Sequence, residues 1–185
     1  MRSDQARYGA HVSIEIPPPG EYRLDPVRSR IGVSGTHLFG MATVEGTFPL
    51  LSGVVVVGDP VTESVVEADV DAAGLSTGDR LRDTELQSRR FLHGREHPVI
   101  TFRSGSVRQD GARWVLEGVV TVRGTAGRVQ CGIESVTLTD EGFTARATTA
   151  VDRFAFGITY GKRLGGREFV LTLEVTAVQD PAGTR

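Results

Sequence analysis

One stretch near the end of the chain decides the fold: FVLTLEVTA, residues 169–177. Its apolar residues stand at every second position, namely Phe169, Leu171, Leu173, Val175 and Ala177. Successive side chains of a β-strand point to opposite faces of the sheet, so a period of two predicts a strand with one buried face. This stretch is therefore predicted to lie as a strand against an apolar interior.

The same period recurs along most of the chain after Glu21. The apolar positions of the earlier segments include Ile31, Val33, Ala42, Val44, Val66, Ala68, Leu116, Val120, Cys131, Ala145 and Ala147. Turn signals rich in glycine, proline and aspartate separate the segments, for example at residues 58–60, 110–111 and 140–142. We therefore expect about eight antiparallel strands.

One segment departs from this pattern. Residues 76–79 offer N-cap chemistry, and residues 80–88 contain neither glycine nor proline. We predict a single helix within residues 78–90, with Asp79 at the positive end of its dipole.

Small residues are frequent on the apolar face: Gly35, Ala42, Gly46, Ala68, Gly118, Ala145, Ala147 and Ala177. A sheet of this size can bury one face either as a sandwich or as a closed barrel. Aromatic residues make up only 6% of the chain, so few large rings are available to fill a barrel. Both observations favour a barrel with space inside it.

Composition limits the classes of function. The net charge of −2 and the pI near 6.1 argue against a nucleic-acid partner. The single cysteine, Cys131, excludes an intramolecular disulfide, and its apolar neighbours on the same strand face predict a buried, inert thiol. No stretch approaches the ~20 apolar residues of a membrane span, so no integral membrane segment is expected.

The chain is expected to contain one domain. Residues 1–20 are interpreted as a flexible N-terminal tail that ends in Pro17-Pro18-Pro19-Gly20, although residues 11–16 could instead add an edge strand. The barrel is assigned to residues 21–180, and residues 181–185 are assigned to a C-terminal tail. The first twenty residues lack the apolar core of a signal peptide, which predicts a cytoplasmic protein.

Several motifs together resemble the YceI-like family of polyisoprenoid-binding, lipocalin-like proteins. The resemblance is carried by Tyr22-Arg-Leu-Asp25-Pro26-Val-Arg-Ser29, Thr36-His37-Leu38-Phe39-Gly40, residues 77–92, Pro98-Val-Ile100-Thr101-Phe102 and Asp152-Arg153-Phe154-Ala-Phe156-Gly157. It implies an all-β fold, an extended eight-stranded antiparallel lipocalin-like barrel with one helix at its side. It also implies a hydrophobic tunnel for a polyisoprenoid, an isoprenoid quinone or a fatty-acid derivative.

The sequence departs from the family pattern at two positions. Arg28 stands where the family usually has histidine, and Gly35 stands where a bulkier apolar residue is common. The second difference is expected to widen the interior locally.

The function predicted from these observations is binding of a long-chain apolar ligand in the tunnel, as a carrier or storage protein. The residues expected to contact the ligand are Ile31, Val33, His37, Ala42, Val44, Val66, Ala68, Leu116, Val120, Ala145, Phe154 and Leu171. Arg80 and Arg82 are candidates for binding a polar head group, because a guanidinium suits a pyrophosphate. Alternatively, Arg82 and Asp83 tie the helix to the barrel.

His37 supports more than one interpretation. It could be a core histidine bonded to a carbonyl or carboxylate, or it could contact the head group of the ligand. In an alternative function the protein is a barrel enzyme for a lipophilic substrate, with His37 as general base. The leading hypothesis assigns no catalytic residue.

No cofactor is expected. No metal site is expected either, because we assign His11, His93 and His97 to no common strand phase or helical spacing. The expected partner is an isoprenoid or other long-chain lipid, and the oligomeric state is left open between monomer and homodimer.

Overall fold

The computed structural model describes residues 14–37, 42–161 and 165–180, with only the backbone described for His37 and Gly165. The strands of these residues are β1 (Gly20–Leu24), β2 (Arg30–His37), β3 (Ala42–Phe48), β4 (Leu50–Val57), β5 (Val65–Asp71), β6 (Val99–Asp110), β7 (Arg113–Val122), β8 (Thr125–Thr139), β9 (Gly142–Asp152) and β10 (Gly165–Gln179). The predicted helix is confirmed as α1 (Arg80–Leu86), and short 3-10 helices span Val61–Glu63 and Arg153–Phe156. None of the described helices has the length and apolar character needed to cross a bilayer.

The closure of the sheet depends on β10. One edge of β10 pairs with β9, and the other edge pairs first with β2 and then, over residues 177–179, with β1. Because β1 also pairs with β4, eight strands (β1 and β4 to β10) close into an antiparallel barrel. The predicted eight-stranded barrel with one helix is thereby confirmed, and β2 and β3 are two strands beyond it.

The β2–β3 pair is separated from the β1–β4 pair at two points where strand structure is interrupted, one between β1 and β2 and one between β3 and β4. Between β1 and β2, Oδ1 of Asp25 accepts hydrogen bonds from the backbone amides of Val27 at 2.8 Å and Arg28 at 3.0 Å. The Arg28 side chain also bonds to this carboxylate, and these bonds hold the pKa of Asp25 below its ordinary value. Between β3 and β4, Pro49 cannot donate a ladder hydrogen bond, so one strand ends and the next begins.

The outer edge of β3 is covered by the segment that leads into α1. The backbone groups of Thr47 and Ser76 exchange two hydrogen bonds, of 2.9 and 3.0 Å. Gly46 allows this approach, since a β-carbon there would lie 3.0 Å from the carbonyl oxygen of Ser76. The segment between β5 and β6 thus lies against β3 at the side of the barrel, which satisfies part of an otherwise open edge.

Residues 14–20 fall within the segment interpreted as a tail, and Ile14 and Glu15 contact the barrel. Ile14 forms a bridge with Val136 of β8, and the Glu15 amide donates to the Val136 carbonyl at 3.0 Å. The carboxylate of Glu15 accepts a 3.0 Å hydrogen bond from the amide of Leu138. Residues 1–13 and 181–185 lie outside the described residues.

Tyr22 anchors the largest buried cluster. Its side chain is only 1% exposed, its ring meets that of Phe143 edge to face at 5.1 Å, and its hydroxyl donates to the carbonyl of Pro18 at 2.8 Å. Leu24, Val57 and Ala177 belong to the same cluster. The residue therefore joins β1 and β9 and fixes the segment that precedes β1.

We expect Tyr22→Ala to lower the free energy of unfolding by about 3–5 kcal/mol, the usual cost of emptying an aromatic core site. Tyr22→Phe keeps the ring and loses only the hydrogen bond to Pro18, so we expect a loss of about 1 kcal/mol. Urea unfolding of the three proteins measures both values. Equal losses for the two variants would contradict the packing role of the ring.

Candidate functional site

The barrel encloses a cavity of about 750 Å³. This volume falls within the range of roughly 300–1,000 Å³ that is typical of small-molecule sites. Each of the strands β1 to β10 contributes side chains to its wall. The period-two pattern of the sequence is what turns alternate residues of each strand toward this space.

Nine of the twelve predicted contact residues line the cavity: Ile31, Val33, Val44, Val66, Ala68, Leu116, Val120, Ala145 and Leu171. Ala42 shares a strand face with Val44 but is not part of the described wall. The backbone of His37 pairs with Ala42 and Gly165, and its side chain lies outside the described part of the chain.

Phe154 does not line the cavity. Its half-buried ring packs against the guanidinium groups of Arg153 and Arg167, with the two central carbons 4.8 and 5.5 Å from the ring centroid. Phe156, two residues on, is buried and lines the cavity instead. The chain has left strand geometry for a 3-10 helix at this point, so strand parity no longer predicts which side chains point inward.

The cavity is long. Strand β9 alone supplies Phe143, Ala145, Ala147, Thr149 and Val151 to its wall. This part of the strand covers about 27 Å at about 3.4 Å per residue. With the usual strand tilt of about 35–45°, it corresponds to about 20 Å along the barrel. An extended chain molecule fits such a space better than a compact one.

Glycine does not widen the interior in the way expected at Gly35. A β-carbon at Gly35 would lie 2.2 Å from Cε1 of Phe169, so the phenylalanine ring fills the space that the glycine leaves. Gly118 accommodates the ring of Phe102 similarly, with a hypothetical β-carbon 2.6 Å from Cε2. The inward alanines, not these glycines, leave the interior open.

One end of the cavity, called here the N-terminal end, is lined by Ile14, Ile16 and Pro17. These residues lead from β8, where Ile14 pairs with Val136, to the start of β1. Sequence reasoning left residues 11–16 open as an edge strand but did not place them at the cavity, because the proline run that follows indicates a linker. The alternation of Ile14 and Ile16 was the signal that could have identified them.

The opposite end, called the α1 end, is formed by the segment between β5 and β6 and by the segment after β9. Its described lining includes Leu75, Thr77, Arg82, Glu85, Leu86, Phe91, Leu92, Ile158 and Tyr160. Leu75, Leu92 and Ile158 form a buried cluster there. Asp83 fixes the start of α1 by accepting hydrogen bonds from the amide and hydroxyl of Thr77 at 2.8 and 2.6 Å.

The two predicted head-group arginines have different surroundings. Arg82 lines the cavity, and among the described residues it forms one ion pair, a 3.6 Å contact with Asp79. Arg80 is exposed and is not part of the wall. Asp79 caps the helix by accepting from the amides of Leu81 and Arg82, and these bonds lower its pKa. Asp83 bonds to Thr77 and not to Arg82, so it ties the helix to the preceding segment.

Arg153 is a buried cation at the α1 end, with only 4% of its surface exposed. Its guanidinium donates to the carbonyl oxygens of Gly166 at 2.7 Å, Ile158 at 2.8 Å and Tyr160 at 2.7 Å. Burial lowers its pKa from the ordinary value. The three bonds fasten the segment after β9 to the start of β10.

Cys131 lies on the wall of the cavity and is 2% exposed, which confirms the predicted free, buried thiol. Burial raises the pKa of the Cys131 thiol to about 11. At neutral pH the group is therefore a protonated, weakly polar part of the wall.

Outside the cavity, the structure brings together three groups that could hold a metal ion. Ligand atoms of His93, Glu96 and His97 all lie within 4.8 Å of one another. The sequence-based expectation of no metal site overlooked that His93 and His97 are four residues apart. A tight turn, and not a strand or a helix, places the side chains of His93, Glu96 and His97 on the same side of the backbone.

A model of the YceI-like domain matches residues 22–177. The chain belongs to the YceI-like family. This match confirms the family assignment made from the motifs. A separate comparison with curated proteins gives no match.

Solved structures share the YceI-like fold at low sequence identity. BcnA of Burkholderia cenocepacia has a TM-score of 0.74 and 18% identity, over 82% of this chain and 98% of that one. A polyisoprenoid binding domain from Saccharophagus degradans has a TM-score of 0.67 and 12% identity, over 86% and 98%. A YceI protein of Campylobacter jejuni has a TM-score of 0.56 and 18% identity, over 76% and 86%.

We expect Cys131 in the folded protein to react with iodoacetamide at pH 8 at least about a hundredfold more slowly than in urea, because an unfolded thiol has a pKa near 8.5. The matched control carries Cys131→Ala and Thr144→Cys, which moves the thiol to an exposed position of β9. Mass spectrometry of timed samples gives the rates. Comparable labelling of the native protein and the control would contradict the buried, protonated thiol.

Proposed function

We propose that the protein binds a long-chain apolar molecule in the barrel cavity and serves as a carrier or store for it. The observation that carries the proposal is the long cavity of about 750 Å³, whose described wall is mostly aliphatic and aromatic. The structural relative from Saccharophagus degradans, described as a polyisoprenoid binding domain, supports the same class of ligand. The ligand is proposed to be a polyisoprenoid, an isoprenoid quinone or a fatty-acid derivative.

Burial of the chain supplies the affinity. Each 100 Å² of apolar ligand surface removed from water contributes about 2.5 kcal/mol, before the cost of immobilising the ligand is subtracted. The hydrophobic effect is non-directional, so the cavity selects a ligand by its length and width more than by its chemical detail. A store for more than one related lipid is consistent with this kind of wall.

The polar groups of the wall favour binding over catalysis. The Cys131 thiol has a pKa of about 11 and is a poor nucleophile at neutral pH. The Arg153 guanidinium is bonded to three backbone carbonyls. Both groups are engaged in the structure of the wall, and we assign the protein no catalytic role.

We propose that the ligand enters with its polar head at the α1 end. Arg82 lies on the wall there with 39% of its side chain exposed, so it can reach both the cavity and water. Glu85, on the same helix, is exposed and also lines the cavity. Its negative charge would repel an anionic head group, so we place the head group in direct contact with Arg82. The N-terminal end is bounded mainly by apolar side chains, which suits the tail of the ligand.

We expect Ala145→Phe and Ala68→Phe each to weaken binding of a long-chain lipid at least tenfold. Both alanines line the cavity, and a phenyl ring there would take the volume of the ligand chain at a stability cost of about 1–3 kcal/mol. Thr144→Phe is the matched control, because Thr144 is exposed on the outer face of the same strand as Ala145. Competition against a fluorescent long-chain probe measures the affinities.

Folding of each variant is checked by circular dichroism and urea unfolding. If a folded Ala145→Phe protein and a folded Ala68→Phe protein both bind the probe as the unchanged protein does, the cavity is not the binding site and the proposal fails. A loss of binding in Thr144→Phe as well would trace the effect to general disturbance of β9.

The head-group orientation predicts a contrast between two neighbouring arginines. We expect Arg82→Gln to weaken a long-chain carboxylate about tenfold and the alcohol of equal length much less, since a charged hydrogen bond is worth about 1.5–3 kcal/mol. Arg80→Gln, on the exposed side of α1, should leave both ligands unchanged. The same competition assay measures the affinity of both variants for the carboxylate and for the alcohol. Equal effects of the two substitutions would contradict the orientation.

A further inference from the structure

We propose that His93, Glu96 and His97 form a binding site for a divalent transition-metal ion, most suitably zinc, beside the α1 end of the barrel. Two imidazole nitrogens and one carboxylate oxygen are offered by a single turn of five residues, His93-Gly94-Arg95-Glu96-His97. This site is separate from the cavity and independent of the proposed lipid.

The backbone of the turn sets the three side chains on one side. The amides of Glu96 and His97 both donate to the carbonyl oxygen of His93, each at 3.0 Å. Residues three and four positions apart then face the same way, as they do in one turn of helix. His93 itself has a φ of 52°, in the left-handed region that residues with a β-carbon rarely adopt.

The distances suit a small ion. Nδ1 of His93 lies 3.5 Å from Oε2 of Glu96, and the three ligand atoms lie within 4.8 Å of one another. Tetrahedral zinc with bonds of about 2.0–2.2 Å places neighbouring ligand atoms roughly 3.4 Å apart. Small side-chain rotations would bring the remaining pairs to that spacing. The imidazole rings are 5.8 Å apart and inclined at 67°, so two nitrogens can point toward one centre without stacking.

The turn is held in place by the surrounding chain. The amides of Leu92 and His93 donate to the carbonyls of Leu86 and Ser88 at 2.9 and 3.0 Å. Gly94 is buried, and a β-carbon there would lie 2.1 Å from the side-chain oxygen of Gln87 and 3.2 Å from Cα of Ala73. The ligand residues therefore need little rearrangement to bind an ion, which lowers the entropic cost of binding.

The chemistry of the ligand set favours zinc over calcium or magnesium. Imidazole is a good ligand for zinc, copper and nickel, whereas calcium and magnesium prefer oxygen ligands. Two histidines and one glutamate form a three-ligand zinc set that leaves a fourth position for water. The exposed carboxylate of Glu96 keeps this fourth position within reach of solvent.

The position of the site gives a bound ion a structural consequence. Leu92, directly before His93, is buried and lines the cavity, while a β-carbon at Gly124 in the β7–β8 turn would lie 3.7 Å from the His97 ring. An ion that joins His93 to His97 would stiffen the turn that leads from the α1 end into β6. Binding to the folded protein alone would also raise the melting temperature.

The test is titration of the full chain, untagged and freed of metal with a chelator, with zinc chloride in a calorimeter. We expect one ion per chain, with binding weakened at least tenfold by His97→Ala and by His93→Asn, since asparagine tolerates the left-handed backbone. Arg95→Ala, in the same turn, and His11→Ala are the controls and should bind as the unchanged protein does. Cobalt(II), used as a second probe, should show the intense visible bands of tetrahedral coordination.

Absence of one-to-one zinc binding, or binding that His93→Asn and His97→Ala leave unchanged, would overturn the proposal. Circular dichroism shows whether each variant folds. If either histidine variant fails to fold, Glu96→Gln decides the matter, because the Glu96 side chain is 70% exposed and its replacement leaves the packing intact. Failure of lipid binding in the cavity leaves this result untouched, so the two proposals are tested separately.

Discussion

The backbone hydrogen bonds along both edges of β10 are the constraint on which the rest of the structure depends. An open sheet leaves rows of unpaired amide and carbonyl groups, which are costly when buried and prone to pairing with other chains. β10 pairs with β9 on one edge and with β2 and β1 on the other, so β10 is the strand that closes the ring. The closed ring gives the inward side chains of all its strands a common interior.

That interior stays open because of which residues point into it. Rings pack over glycines, as Phe169 does over Gly35, and so line the wall without crossing the space. Alanines such as Ala145 stand where larger side chains would meet in the middle. The barrel therefore keeps its stability in the Tyr22 cluster near the N-terminal end and its free volume along the strands.

The features that could be predicted from the sequence are those that depend on a repeating pattern. The period of two was enough to predict the strands and nine residues of the cavity wall, because each strand face is determined by its own sequence. The choice of a barrel over a sandwich also needed the small inward residues, the low aromatic content and the resemblance to the YceI-like family. Prediction failed where the pattern is interrupted. Phe154 was expected to contact the ligand, but the chain enters a 3-10 helix after Asp152, and Phe156 lines the wall there instead.

Contacts between distant segments were beyond the reach of sequence pattern. The pairing of Ile14 with Val136 joins residues far apart in the chain, and a proline run nearby suggested a linker instead. His93 and His97 are four residues apart in the sequence, but only the backbone of the turn shows that this spacing brings their rings together with Glu96. In both cases the missing information was the path of the backbone.

The way Arg153 is held has a consequence for how this protein family can change over evolutionary time. Its guanidinium donates to oxygens of Ile158, Tyr160 and Gly166 that all belong to the main chain. A carbonyl is present whatever the side chain, so substitutions in this segment keep the anchor as long as the arginine remains. Exposed positions of the segment beside the α1 end can thus vary without loss of the anchor, whereas Ile158 is also held by its packing against Leu75 and Leu92.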